Sequence, residues 1–130
     1  MKAGYAGGAN PGQGSAGNPD FTVAMAVDRA GAVWAGTLGS RLSRFDGSQW
    51  RHYLRADGLP GEHVFMLHRD AADRLWVGTD GGLARVRSGK FEVMTTREGL
   101  FSNAVFAMAS TAQDIWVGGF GGLARVRGVK

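Results

Sequence analysis

Cysteine is absent from this chain, which removes a disulfide scaffold and any thiolate metal site. The absence leaves the compartment open, because many exported proteins also do without cysteine. Long apolar runs are missing too: no stretch approaches the roughly 20 residues needed to span a bilayer. Residues 1–20 begin with one Lys but hold no apolar core of about 7–15 residues, so they do not form a signal peptide. A basic run is also lacking. The formal charge is +4, but the cations are mostly Arg and are scattered along the chain, so nucleic acid is not an expected partner. Neither a Gly-x-Ser-x-Gly elbow nor a Walker pattern occurs, and the Gly-rich turns lack the Lys and helix that phosphate binding needs. Finally, turn residues recur so often that no window is long enough for a stable helix.

What is present is a phrase stated twice. Residues 76–87 read WVGTDGGLARVR and residues 116–127 read WVGGFGGLARVR, identical at ten of twelve positions. A looser copy, WAGTLGSRLSRF, starts at Trp34; the spacing is 42 residues from Trp34 to Trp76 and 40 from Trp76 to Trp116. A period in this range marks a repeat architecture. The 22 glycines follow the repeat and point to tight turns between short strands, while four Trp and seven Phe are enough for a core.

The second repeat predicts four strands, over residues 63–70, 74–79, 83–87 and 90–96, with turns at Ala71–Asp73, Asp80-Gly81-Gly82 and Ser88-Gly89. Four antiparallel strands in about 40 residues make one propeller blade. The first repeat matches strand for strand, with one extra residue near 38–41. The third supplies strands at 104–110, 114–117 and 123–127 but no fourth. The expected architecture is therefore all-β: three blades, over about 21–56, 57–97 and 98–130, preceded by a flexible Gly-rich lead over 1–20. The alternative for the lead, a strand from part of 2–6 added to an open sheet edge, stays open. Leu83 and Val86 lie on opposite faces of their strand, so each is expected to pack on a different neighbouring blade. Trp34, Trp76 and Trp116 are expected core anchors. Arg44, Arg85 and Arg125, each two residues after a Leu, are expected braces that bridge blades and bond to carbonyls or turn carboxylates.

These repeats resemble the two-component regulator propeller family. The likeness is carried by Trp76, Gly78, Thr79, Gly81, Gly82, Leu83, Arg85, Phe91, Glu98, Gly99, Leu100 and Asn103, and again by Trp34, Gly36, Thr37, Leu42, Arg44, Trp50, Asp57, Gly58 and Leu59. It extends over about residues 21–127, and the third copy departs from it with Gly119 and Phe120 in place of Thr and Asp. The resemblance implies the extracytoplasmic, periplasmic sensor of membrane-bound hybrid histidine kinases, often those responding to oligosaccharides. In that family more repeats complete the propeller, and a membrane span and signalling domains follow.

Propellers close with about 4–8 blades, so three leave two apolar faces exposed. The chain is therefore expected either to be part of a larger propeller or to self-associate, for instance as two chains in a six-bladed ring; an open monomer is the third case. If a ligand binds, propeller logic places it at one end of the channel. That end is lined by Asp57, Glu62, His63, Asp80, Glu98, Asn103 and Phe120, polar groups beside an aromatic platform suited to a sugar or other small polar ligand. No catalytic residue, metal site or cofactor is expected. His63 and His68, five apart on one strand, face opposite ways, and the turn acids Asp28, Asp70, Asp73 and Asp114 are expected to bind backbone amides. The leading expectation is a non-catalytic sensor or interaction propeller. The alternatives are an enzyme of the streptogramin-lyase type, which needs a metal and a catalytic His, and a pure assembly scaffold.

Overall fold

A computed structural model describes residues 21–38 and 41–127 of the protein. The expected lead over 1–20 lies outside the described residues, as do Gly39, Ser40 and residues 128–130. Eleven strands are present among those described: β1 Phe21–Val27, β2 Val33–Leu38, β3 Leu42–Phe45, β4 Trp50–Tyr53, β5 Val64–Arg69, β6 Leu75–Thr79, β7 Gly82–Arg87, β8 Lys90–Met94, β9 Val105–Ser110, β10 Asp114–Gly119 and β11 Gly122–Arg127. They zip into three antiparallel sheets ordered β1-β2-β3-β4, β5-β6-β7-β8 and β11-β10-β9. The all-β expectation holds, including the missing fourth strand of the last blade among the described residues. The edge strands β1, β5 and β9 approach one another in turn, so they are the inner strands of successive blades.

Short-range chemistry sets each hairpin. Asp28 Oδ1 accepts the backbone N–H groups of Ala30 and Ala32, and Asp70 Oδ1 those of Ala72 and Arg74, which folds the chain back between inner and second strand. The other oxygen of each accepts the indole N–H of the next strand's Trp, Trp34 or Trp76, at 2.9 Å. That bond lets a Trp sit in the core without an unpaired donor. The third blade differs: its turn is one residue shorter and Thr111 Oγ1 takes the place of the Asp, binding Gln113 and Asp114 amides.

Two apolar clusters hold the blades together. Trp34, Leu42, Tyr53, Leu59, Val64, Leu75, Val77 and Ala84 fill the space between the first and second sheets. Met66, Trp76, Leu83, Leu100, Val105, Ile115 and Val117 fill that between the second and third. Leu83 lies in the second cluster and Val86 packs on the first, so the two faces of β7 divide as the period of two requires. Glycine in the Trp-x-Gly triplet makes the close approach possible. A Cβ on Gly36 would fall inside the Val64 side chain, and one on Gly78 would lie 2.7 Å from the Val105 carbonyl oxygen.

Two expectations need correction. Trp116 is not a core anchor: it is 38% exposed, against 3% for Trp34 and 4% for Trp76, because no further blade covers its face among the described residues. The recurrent arginines at Arg44 and Arg125 do bond to turn carboxylates as expected, but these ion pairs lie within a blade and not between blades. Arg44 donates to Asp28 and Arg125 to Asp114, each at 3.0 Å inside its own sheet, and Arg85 lies 3.9 Å from Glu92 of the adjacent strand. A guanidinium two residues past Leu sits on the Trp side of the sheet, within reach of its own turn. Blades are tied instead by His68 Nε2 with Ser110 Oγ, 2.8 Å apart, and by Arg69 donating to the Val27 carbonyl.

Candidate channel-mouth site

The segments linking one blade to the next, residues 54–63 and 95–104, lie at the end of the molecule where the β6–β7 turn also emerges. Each begins with a single 3-10 turn, Arg55–Asp57 or Thr96–Glu98, and each ends that turn on a glycine in the left-handed region, Gly58 at φ 108° and Gly99 at φ 110°. Asp57 reaches back to accept the N–H of Leu54 at 2.9 Å, and Glu98 that of Thr95 at 2.8 Å. The next residues, Leu59 and Leu100, drop into the two core clusters. The Asp/Glu-Gly-Leu triplet is thus a device for turning the chain: an acid to hold the backbone, a glycine to reverse it and a leucine to anchor it.

This settles where several predicted site residues go. Asp80 Oδ1 accepts the amides of Glu62 at 2.9 Å and His63 at 3.2 Å, pinning the incoming segment to the β6–β7 turn. Asn103 Oδ1 accepts the Thr96 amide at 2.8 Å. Asp57, Asp80, Glu98 and Asn103 therefore face this end, but with oxygens engaged by backbone amides. Glu62 is exposed, and among the described residues its carboxylate accepts no hydrogen bond. Phe120 occupies the place of Asp80 in the third blade; there Ser102 Oγ holds the Ala104 amide instead.

The remaining two, His63 and Phe120, sit at the ends of an aromatic row that sequence reasoning missed in its middle. The His63 ring stacks on Phe65 at 6.2 Å, Phe65 meets Phe106 at 4.6 Å, and Phe106 meets Phe120 edge-on at 5.0 Å. Phe106 and Phe120 are 40% and 67% exposed. Phe65 and Phe106 are equivalent residues of β5 and β9, and both sit at a break in the pairing register with the second strand. A bulge re-aims the side chain it carries, which is how two inner strands present aromatic rings to each other across blades. The available signal was the 41-residue spacing between these Phe, hidden because a regular alternation assigns them to a sheet face. His63 Nδ1 is buried and has no hydrogen-bond partner among the described residues.

At the opposite end, a cleft of about 290 Å³ between the first two blades is lined by Asp28, Trp34, Arg44, Tyr53, Val86 and Gly89. Burial alone would raise the Asp28 carboxyl, but hydrogen bonds from Trp34 and Arg44 outweigh it and hold the group below its usual range. Asp70 is likewise pushed up by burial and brought down further by Trp76 and Arg74. Such carboxylates serve the fold, since both oxygens already accept N–H groups. Among the described residues no three His, Cys, Asp or Glu gather as metal ligands.

The geometry defines a segment of a β-propeller. The model of the two component regulator propeller family matches residues 58–81, which run from the turn glycine through β5 and β6 to Gly81 in the turn that follows. The chain is similar in fold to the extracellular domain of BT3049 from B. thetaiotaomicron, assigned as a hybrid two component system, with 22% identity and a TM-score of 0.74 over 81% of this chain and 15% of that one. It is similar also to the extracellular domain of BT4673 from the same organism, with 21% identity and a TM-score of 0.71, covering 88% of this chain and 17% of that one. The chain thus spans less than one fifth of the length of these structures. No curated protein matches it. No helix among the described residues is long and apolar enough to cross a membrane.

Proposed function

We propose that this chain is part of a non-catalytic, extracytoplasmic sensor propeller whose ligand, an oligosaccharide or other small polar molecule with a flat face, lies against the aromatic row at the channel mouth. The observation that carries the reading is the row His63–Phe65–Phe106–Phe120, whose half-buried first two rings lead to the exposed Phe106 and Phe120. Aromatic faces present a large contact area at little cost in conformational entropy. The carboxylates nearby do not form an acid–base pair in this reading, because Asp57, Asp80 and Glu98 are engaged in holding the backbone. The likeness to extracellular domains of two-component systems supports the sensor role and the location outside the cytoplasm.

An oligosaccharide array probed with the 130-residue chain tests the reading. Binding should be present in the unaltered chain, fall at least tenfold in Phe106→Ala and Phe120→Ala, and persist in Glu92→Ala on the outermost strand. Binding that is indifferent to both Phe changes would refute the assignment of the row.

A further inference from the structure

Two arginines stand directly opposite each other on the first blade. Arg44 of β3 pairs across the ladder with Arg51 of β4, so both side chains leave the same face of the sheet. Like charges in that relation destabilise a sheet. The second blade avoids the clash: at the same place Arg85 pairs with Glu92, and the two lie 3.9 Å apart. Arg51 finds no such relief. It lies over the Tyr53 ring, 5.0 Å from the centroid, and among the described residues no carboxylate pairs with it.

The pair borders the cleft of about 290 Å³ between the first and second blades, to which Arg44 and Tyr53 both contribute. Asp28 does not neutralise both arginines. Its oxygens accept the Ala30 and Ala32 amides, the Trp34 indole and Arg44 Nε. Among the described residues the terminal guanidinium nitrogens of Arg44 and the Tyr53 hydroxyl make no hydrogen bond. Two guanidinium groups against one carboxylate leave one positive charge in excess. Tyr53 stacks on Trp34 at 5.5 Å and forms an apolar wall with Val86 of the next blade. Gly89 leaves the rim open, since a Cβ there would meet nothing within 4 Å. The second blade lacks this set of donors: Met94 stands in the place of Tyr53, opposite the buried Leu83, and Glu92 in the place of Arg51.

We propose that this cleft binds a small organic monocarboxylate, held by Arg44, Arg51 and the Tyr53 hydroxyl, with its carbon body beside Tyr53 and Val86. A guanidinium fork matches the two oxygens of a carboxylate, and such charge-assisted bonds are the strong ones. One negative charge balances the excess and relieves the repulsion between the arginines. The apolar wall favours a carbon body over a bare inorganic anion, and the volume, at the small end for ligand pockets, suits a single ring. Both blades that form the cleft are complete among the described residues, so the site does not depend on what precedes or follows them. It lies at the opposite end from the aromatic row, and its failure would leave the reading of that row untouched.

Nuclear magnetic resonance titration of the 130-residue chain with benzoate and with glucuronate tests the site, with benzamide and glucose as neutral counterparts. At least one acid should move the Nε–H signals of Arg44 and Arg51 and the amide of Gly89, and its neutral counterpart should bind at least about tenfold more weakly. Arg51→Glu, which gives the first blade the pairing of the second, should cut acid binding by about tenfold or more without lowering the melting temperature. Should the glutamate disturb the fold, Arg51→Gln replaces it with the same expected loss. Signals that stay still with both acids, neutral counterparts that bind equally well, or binding indifferent to the Arg51 change would overturn the proposal. Shifts confined to Phe106 and Phe120 would place the acid at the channel mouth and overturn it as well. Inorganic phosphate that binds as tightly as either acid would overturn the carboxylate assignment.

Discussion

The second and third blades say nearly the same words and live in different surroundings. In WVGTDGGLARVR, Leu83 is fully buried and Trp76 nearly so; in WVGGFGGLARVR, the matching Leu123 is 63% exposed and Trp116 38%. The side facing inward behaves alike in both, since Val77 and Val117 are each buried and Val86 and Val126 each pack on a cluster. Burial in this array is thus a property of the neighbour and not of the residue. Each blade contributes half a core, and the half becomes a core only when another blade is laid on it, as expected for nearest-neighbour repeat architectures.

The widest gap between the two blades should come from their leucines. Leu83→Ala is expected to lower stability by about 2–5 kcal/mol, the range for emptying a packed site. Leu123→Ala should stay within about 0.5 kcal/mol in dilute monomer, where its side chain already meets water. Chemical denaturation of both variants measures the difference, and equal losses would mean that the third face is covered in solution.

Next in size is the buried carboxylate. Asp70→Asn should cost about 1–3 kcal/mol, since the Trp76 indole and the Arg74 guanidinium lose a charged acceptor. Its folded carboxyl titrates below the ordinary range, so the contribution is complete above the unfolded value of about 4 and is lost as the pH falls through the folded one. Thermal melts between pH 7 and pH 2 should therefore show a shallower acid decline in the variant. Asp114→Asn in the third blade should cost less, because the Arg125 it holds is half open to water.

The smallest contrast lies in the glycines. Gly78→Ala should lose about 1–3 kcal/mol through overpacking against Met66 and the Val105 carbonyl. Gly118→Ala should be neutral within about 0.5 kcal/mol in the monomer. Thermal shift of both variants measures the difference.

Much of the architecture was legible because it is local and repeated. Strand boundaries within a residue or two, the division of Leu83 and Val86 between two faces, and the amide-binding role of Asp28 and Asp70 all follow from turn chemistry and a period of two. The site was less legible. Asp57 and Glu98 read as loop carboxylates free for a ligand, but their distance to the preceding backbone amide depends on a 3-10 turn too short to carry a periodic signal. Phe65 and Phe106 read as sheet-face residues, because nothing in one strand announces that its register will slip.

The repeated phrase by itself determined that this chain makes blades: tryptophan for the core, glycine where backbones meet, leucine and valine for two opposite faces, and an acid-glycine-leucine turn between units. Whether a given face is interior or surface was decided only in three dimensions. Trp76 and Trp116 each follow an aliphatic residue and precede Val-Gly, and the blade laid over only one of them separates a core residue from an exposed patch.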